Sequence, residues 1–138
     1  MKSLSLIIAL SFSLGFLASC KKNCECILPN QIEGTWHMSR VSGGLAGIDF
    51  TYNSGEVMWV FKENSDLLLV TNAIDTNDIK YNYAKLASGQ YSYSTQSANG
   101  QNILFVDGME LGIYTISNNK LFIDEGVAAD GLLTEFER

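Results

Sequence analysis

Histidine occurs once in this chain of 138 residues, at position 37, and proline once, at position 29. A lone imidazole removes most nucleophile-activating schemes, which need a nucleophile beside the ring and a carboxylate to orient it. Strand alternation puts Ser39 on the face of His37, but nothing selects a partner acid. Asp107, Glu110, Asp124 and Glu125 fall at strand ends or turns, where charges are ordinarily solvated. No glycine-rich phosphate loop opens a helix. No enzyme is therefore expected. Basic residues are also scarce: nine Lys and Arg face fifteen Asp and Glu, for a net charge of −6. Nucleic acid needs a basic face, and the only basic pair is Lys21-Lys22, so that partner class is excluded. No stretch after Cys20 carries a helical period over ten residues.

A long apolar run is missing as well. The uncharged stretch Leu4 to Leu17 has 14 residues, short of the about 20 that a spanning helix needs. After Met1-Lys2-Ser3 it reads as an export leader. It ends in Leu17-Ala18-Ser19-Cys20, which resembles the lipobox of bacterial lipoproteins. The resemblance implies a diacylglycerol on the Cys20 sulfur, cleavage after Ser19 and a further acyl chain, such as palmitate, on the new amine. Two or more chains give lasting membrane attachment where one does not. Losing Lys2 with the leader takes the net charge from −6 to about −7. Lys21 directly after Cys20 is what outer-membrane lipoproteins carry, so the outer membrane is the expected location.

Three cysteines are present. With Cys20 acylated, Cys24 and Cys26 remain, and a bridge across one intervening residue would strain the ring. They pair with another molecule or stay free. Together with a single His they do not make the four-ligand set of a structural zinc site, and no metal or other cofactor is expected. Residues 20–31, with Pro29, read as a flexible tether. Residues 32–138 then form one domain.

Within that domain bulky and polar residues alternate. After Gly34, Trp36, Met38 and Arg40 share one strand face, while Thr35, His37 and Ser39 share the other. Further strands are expected over Glu56–Lys62, Leu67–Thr71, Gly89–Thr95, Gln101–Val106, Met109–Ile116, Lys120–Asp124 and Leu132–Arg138. Asn99-Gly100, Asp107-Gly108 and Asn118-Asn119 mark successive hairpins, because these residues tolerate positive φ. Consecutive hairpins make a meander. Gly43–Gly55 is expected as a long loop carrying Ile48, Phe50 and Tyr52, which fold over a cavity or plug the barrel end. Asn72–Asn82, with Asp75 and Asp78, is expected as a solvated loop. Tyr81, Tyr83 and Leu86 fit either a short strand or a helical turn. Eight strands of about seven residues with loops of about six need about 98 residues, and about 106 are available. The fold class is therefore all-β: a small eight-stranded antiparallel up-and-down barrel.

Gly34-Thr35-Trp36, the Trp59-Val60-Phe61 and Tyr91-Ser92-Tyr93 runs, and the late Tyr114-Thr115-Ile116 and Leu121-Phe122-Ile123 runs resemble the lipocalin superfamily, and more closely the lipocalin-like domain of bacterial lipoproteins. In that family an Arg near the chain end packs across the first-strand Trp, and Arg138 stands in that place. The residues expected to line a pocket or fill the core are Trp36, Met38, Trp59, Phe61, Tyr91, Tyr93, Phe105 and Tyr114. An eight-stranded interior is either filled by side chains or open to one small ligand. The expected function is binding of a small apolar or amphipathic ligand by a membrane-anchored barrel. The alternative is a filled barrel that acts as a protein-interaction, structural or inhibitor module.

Overall fold

Gly34 opens the first of nine strands that pair in one sheet: β1 (Gly34–Gly43), β2 (Ile48–Thr51), β3 (Val57–Phe61), β4 (Leu67–Asn72), β5 (Gly89–Ala98), β6 (Gln101–Val106), β7 (Met109–Ser117), β8 (Lys120–Asp124) and β9 (Leu132–Glu137). The structure, a computed structural model, describes residues 32–138. The leader, Cys20, Cys24, Cys26 and the tether at 20–31 lie outside the described residues.

From β3 to β9 each strand pairs with the next, and β9 returns to pair with β1 from His37↔Glu137 to Gly43↔Leu132. That last pairing closes a ring of eight antiparallel strands, with β2 as an added ninth. Closure removes the unpaired edges that an open sheet would leave. The hairpin turns follow from their residues. Asn99-Gly100 (φ 52° and 76°), Asp107-Gly108 (49° and 76°) and Asn118-Asn119 (51° and 61°) all hold the paired positive φ of a tight primed turn.

Two expectations change at β1 and its follower. Strict alternation placed Arg40 with Trp36 and Met38. A bulge between Met38 and Arg40 resets the parity instead. Val41 takes the next inward position, fully buried, and Arg40 turns outward. There its Nε and Nη2 meet the two carboxylate oxygens of Asp49 at 2.8 and 2.9 Å. The stretch Gly43–Gly55 is not one long loop. Ile48–Thr51 forms β2 against Arg40–Gly43, after a short turn closed by Gly47 N–H donating to Gly44 O. β2 and β3 thus share one edge of β1, β3 along Gly34–His37 and β2 along Arg40–Gly43. The glycines do not make the segment irregular. They serve a tight turn and, at Gly43 (φ +114°), a close approach in which a Cβ would lie 2.6 Å from Gly131 O.

The two ends of the barrel are built differently. At the Trp36 end, Trp36 Nε1 donates to Ile32 O at 2.7 Å. The Arg138 guanidinium lies 4.3 Å over the Trp36 ring and donates to Glu33 O. The far end is covered by the connection between β4 and β5, which includes a 3-10 turn over Ile79–Tyr83. The Tyr81 to Leu86 stretch is therefore helical where it is regular. Ile74 and Ala84 are buried, and Tyr81, Tyr83 and Leu86 pack on the core. Most of Asn72–Asn82 is exposed, as expected of a solvated loop, but through Ile74 and the turn that follows the connection also acts as a cap. Asp75 Oδ1 accepts from Asn77 N–H, which holds its carboxyl below the usual range, and Asp78 Oδ1 accepts from Lys80 N–H at the start of the turn. Both carboxylates thus shape the cap's own backbone.

Candidate ligand-binding site

The interior is assembled from alternate positions of each strand. Trp36 and Trp59 face each other across the β1–β3 pair, both at 0% exposure. The Phe136 ring lies 4.8 Å from Trp59, and Phe61 meets Tyr93 edge-on at 4.9 Å. Such centroid distances are those of favourable aromatic pairs. Met38 and Tyr114 are buried with them, and Tyr91 lies half-buried against the same cluster. Burial raises the pKa of both Tyr93 and Tyr114.

Phe105 is a correction. On β6 the inward positions are Leu104 and Val106, both buried, and Phe105 lies between them on the outer face. Choosing the largest ring on the strand selected the wrong parity. Phe136, by contrast, was not singled out in the sequence and is fully buried. Its signal was the Leu132-Thr134-Phe136 alternation, masked by Leu133 beside it.

Two polar atoms stand within this apolar interior without a hydrogen-bond partner among the described residues: Trp59 Nε1 and Thr134 Oγ1. Thr134 is the buried polar residue of the core, at 0% exposure. An unpaired buried donor costs about 1–3 kcal/mol, so each such group calls for a reason.

Three of the clefts bordered by described residues are well formed, and none of these three is lined by Trp36, Trp59, Phe61 or Phe136. The most enclosed of these three, about 260 Å³, sits at the capped end. Leu86 of the cap, Tyr91 of β5, Val106 of β6 and Met109 and Leu111 of β7 form its apolar walls, with Lys85, Asp107 and Glu110 at its rim. Local sequence explains this geometry. The Asp107-Gly108 turn reverses the chain at the mouth and leaves Met109 72% exposed beside the cleft. Asp107 Oδ1 accepts from Ser92 N–H and Ser92 Oγ–H, tying the turn to β5. Lys85, itself held at φ 71°, reaches Glu125 Oε1 at 2.5 Å and so ties the cap to the β8–β9 connection.

More polar bonds hold the cap on its other side. Tyr52 Oη donates to Lys80 O at 3.0 Å, Lys80 Nζ lies 3.4 Å from Glu56 Oε2, and the Phe50 and Tyr83 rings meet at 5.1 Å. Asn53 N–H and its side-chain amide donate to the Glu56 carboxylate and hold it below the usual carboxylate range. Burial, with Asp78 and Glu56 nearby, pushes the Tyr52 phenol up to about 12. Of Ile48, Phe50 and Tyr52, named from the sequence as cavity cover or plug, Phe50 and Tyr52 thus meet the cap from the side. His37 and Ser39 do not form a reactive pair: the Ser39 hydroxyl donates to Glu135 O at 3.2 Å.

Of the eight residues named from the sequence for core or lining, Trp36, Met38, Trp59, Phe61, Tyr93 and Tyr114 are brought together in the interior. Tyr91 borders both interior and cleft, and Phe105 borders neither. The cleft residues Leu86, Val106, Met109 and Leu111 were missed. Only the Asp107-Gly108 turn could have flagged two of them as rim positions.

A family model described as lipocalin-like domain matches residues 32–126. Comparison with curated proteins and with solved structures finds no match. Gly34, Trp36, Trp59, Tyr93 and Tyr114 all fall inside the matched span, and the closed antiparallel ring is the architecture expected of it. The chain belongs to the lipocalin-like domain family.

Proposed function

We propose that this protein is a lipoprotein of the cell envelope, held at the outer membrane through acylated Cys20, whose lipocalin-like barrel takes a small apolar or amphipathic ligand at its capped mouth. The apolar cleft between the cap and the β5–β7 rim carries this reading. Its 260 Å³ is small beside the about 300–1,000 Å³ of pockets for drug-sized ligands. It suits a short apolar group, or one end of a longer chain with the remainder over Met109. No catalytic step is assigned.

Native mass spectrometry of protein released gently from its membrane tests the reading. A bound small molecule that is lost on Leu111→Lys, in a variant that keeps its unfolding midpoint, is the expected result. A consistently empty protein that also fails to protect Met109 from oxidation in membrane extracts would overturn it. For the anchor, mass analysis of the mature N-terminus should show an acylated Cys20. An unmodified cysteine removes that part.

The packed interior favours a second reading. Trp36, Trp59, Phe61 and Phe136 are each at most 1% exposed. A barrel so filled can serve as a rigid platform for a protein partner. In-cell crosslinking that captures a specific partner, with the cleft empty, would favour this module over ligand binding.

A further inference from the structure

A second cleft, of about 400 Å³, lies at the opposite end of the barrel from the cap. Its character is the reverse of the mouth cleft. Every residue that borders it is polar: His37, Ser54, Asn118, Asn119, Lys120 and the pair Glu137-Arg138. They come from four places in the chain. β1 brings His37, the β2–β3 link brings Ser54, and the β7–β8 turn brings the two asparagines. The start of β8 and the end of β9 bring the charges. The pairing His37↔Glu137↔Lys120 across β1, β9 and β8 sets them side by side.

Cationic side chains converge here without ion-pair partners among the described residues. Lys120 is exposed, and among the described residues no carboxylate lies within ion-pairing distance of it or of Arg138, whereas Arg40, Lys80 and Lys85 are all paired. Arg138 commits one N–H to Glu33 O and its flat face to Trp36. A guanidinium carries five N–H donors, so most remain. His37, the chain's single histidine, has a buried Nδ1 with no hydrogen-bond partner among the described residues. The fold uses the ring for no bond it shows. Lys120 and Arg138 thus bring two cationic side chains to one cleft beside the Glu137 carboxylate, in a chain whose net charge is −6.

We propose that this cleft binds a phosphoryl oxyanion, as a soluble phosphate compound or as a phospholipid headgroup. A tetrahedral anion takes hydrogen bonds from several directions. Arg matches its oxygens with a planar fork, and Lys supplies a compact charge. The amides of Asn118 and Asn119 sit on a rigid turn at φ 51° and 61°, which fixes where their side chains start. The headgroup source has a spatial argument, resting on the proposed anchor. The described chain begins at this end, with Ile32 under Trp36. Residues 20–31 span about 40 Å when extended, so in an anchored barrel this end lies within that reach of the bilayer.

The test uses the full chain in uncharged maltoside micelles, with inorganic phosphate as the probe and backbone amide shifts as the readout. Saturable shifts at Asn118, Asn119 and Lys120, absent with chloride at equal ionic strength, are expected. Lys120→Gln should weaken the apparent affinity about fivefold, the share of one exposed charged contact. The second arm places the full chain in nanodiscs of phosphatidylglycerol. If the same amides shift there and free phosphate is silent, the headgroup is the source. If phosphate acts and the discs are silent, a soluble compound is. Silence in both arms overturns the proposal, as does an unchanged response in Lys120→Gln.

Discussion

The two ends of this barrel are closed by different physics. At the Trp36 end closure is apolar and long-range: a fully buried indole, the Arg138 guanidinium across it and Ile32 beneath it. At the capped end a connection between strands is held down by side-chain hydrogen bonds and ion pairs, at Tyr52, Lys80, Lys85 and Glu125. Apolar burial scales with area and is insensitive to salt, at about 25 cal/mol per Å². Ion pairs at partly exposed sites contribute about 1 kcal/mol or less and weaken with salt. The cap also buries Ile74 and Ala84, but it leans on polar bonds far more than the seal at the Trp36 end does, so it is the cover expected to open first. The apolar cleft lies at the cover, which is where a ligand site needs mobility.

The largest expected effect breaks the seal. Trp36→Ala removes the biggest buried side chain of β1 and strands the Arg138 guanidinium. Cavity-forming changes of this kind cost about 3–5 kcal/mol, a large part of the stability of a domain this size. Guanidinium unfolding followed by Trp59 fluorescence should show a much lower midpoint or no cooperative transition. A loss below about 1 kcal/mol would show that the seal is not the structural anchor described.

The next effect belongs to the cover and depends on pH. The Tyr52 phenol, raised to about 12, ionises at higher pH in the folded state than in the unfolded chain, where it titrates near its ordinary 10.0. Between these values the unfolded state binds fewer protons, so stability falls as pH rises from about 10 to about 12. The contribution is fully present below that window. Tyr52→Phe should flatten the fall in this window and raise amide exchange in Lys80 and its neighbours at neutral pH. An unchanged alkaline profile in Tyr52→Phe would remove Tyr52 as the cap's fastening.

Between the ends sits Thr134, across from Val41 on β1 and Ile123 on β8, with its hydroxyl unpartnered among the described residues. Thr134→Val replaces that hydroxyl with a methyl. If no group reaches it, the substitution should stabilise by about 1 kcal/mol, since an unpaired buried hydroxyl is a penalty and its apolar isostere is not. A loss of stability instead would mean that the hydroxyl is satisfied, by a water or by a ligand penetrating from the mouth. Thermal unfolding of the variant with and without membrane extract separates the two.

What could be read from residues and what could not divides along the same lines. The ring of strands was legible because hairpin signals and alternation are local: Asn99-Gly100 and Asp107-Gly108 turn wherever they occur. The burial of Trp36 followed from its own alternation, and the place of Arg138 across it followed from resemblance. The bulge after Met38 was not legible, since one extra residue changes parity without changing composition. Phe105 failed for a related reason: apolar residues run through Ile103-Leu104-Phe105-Val106, so parity is ambiguous and only the partner strand decides it. The exposure of most of Asn72–Asn82 was legible from its polar residues, but the capping role was not, because Ile74, Ala84 and Leu86, which do the burying, are spread among them. The mouth cleft depends on how cap and rim meet, a relation no local pattern encodes.

The smallest effect is the most informative about function, because it touches the cover alone. Lys85 ties the cap to Glu125, and its side chain is only 11% exposed. Lys85→Met, made together with Glu125→Gln so that the buried Glu125 Oε1 is not left as an unpaired charge, keeps the apolar stem and removes both charges. The loss of global stability should stay under about 1 kcal/mol, because a partly buried pair returns much of its attraction as desolvation cost when formed. The local consequence should be larger in relative terms. If the cap is a separately opening unit, amides of Ile79–Leu86 should exchange several-fold faster in this double variant while those of β3 and β9 stay unchanged. High salt should reproduce the same selective acceleration in the unaltered protein. Uniform acceleration across all strands would mean that the cover and the barrel open together, and the contrast between the two ends would then carry no functional weight.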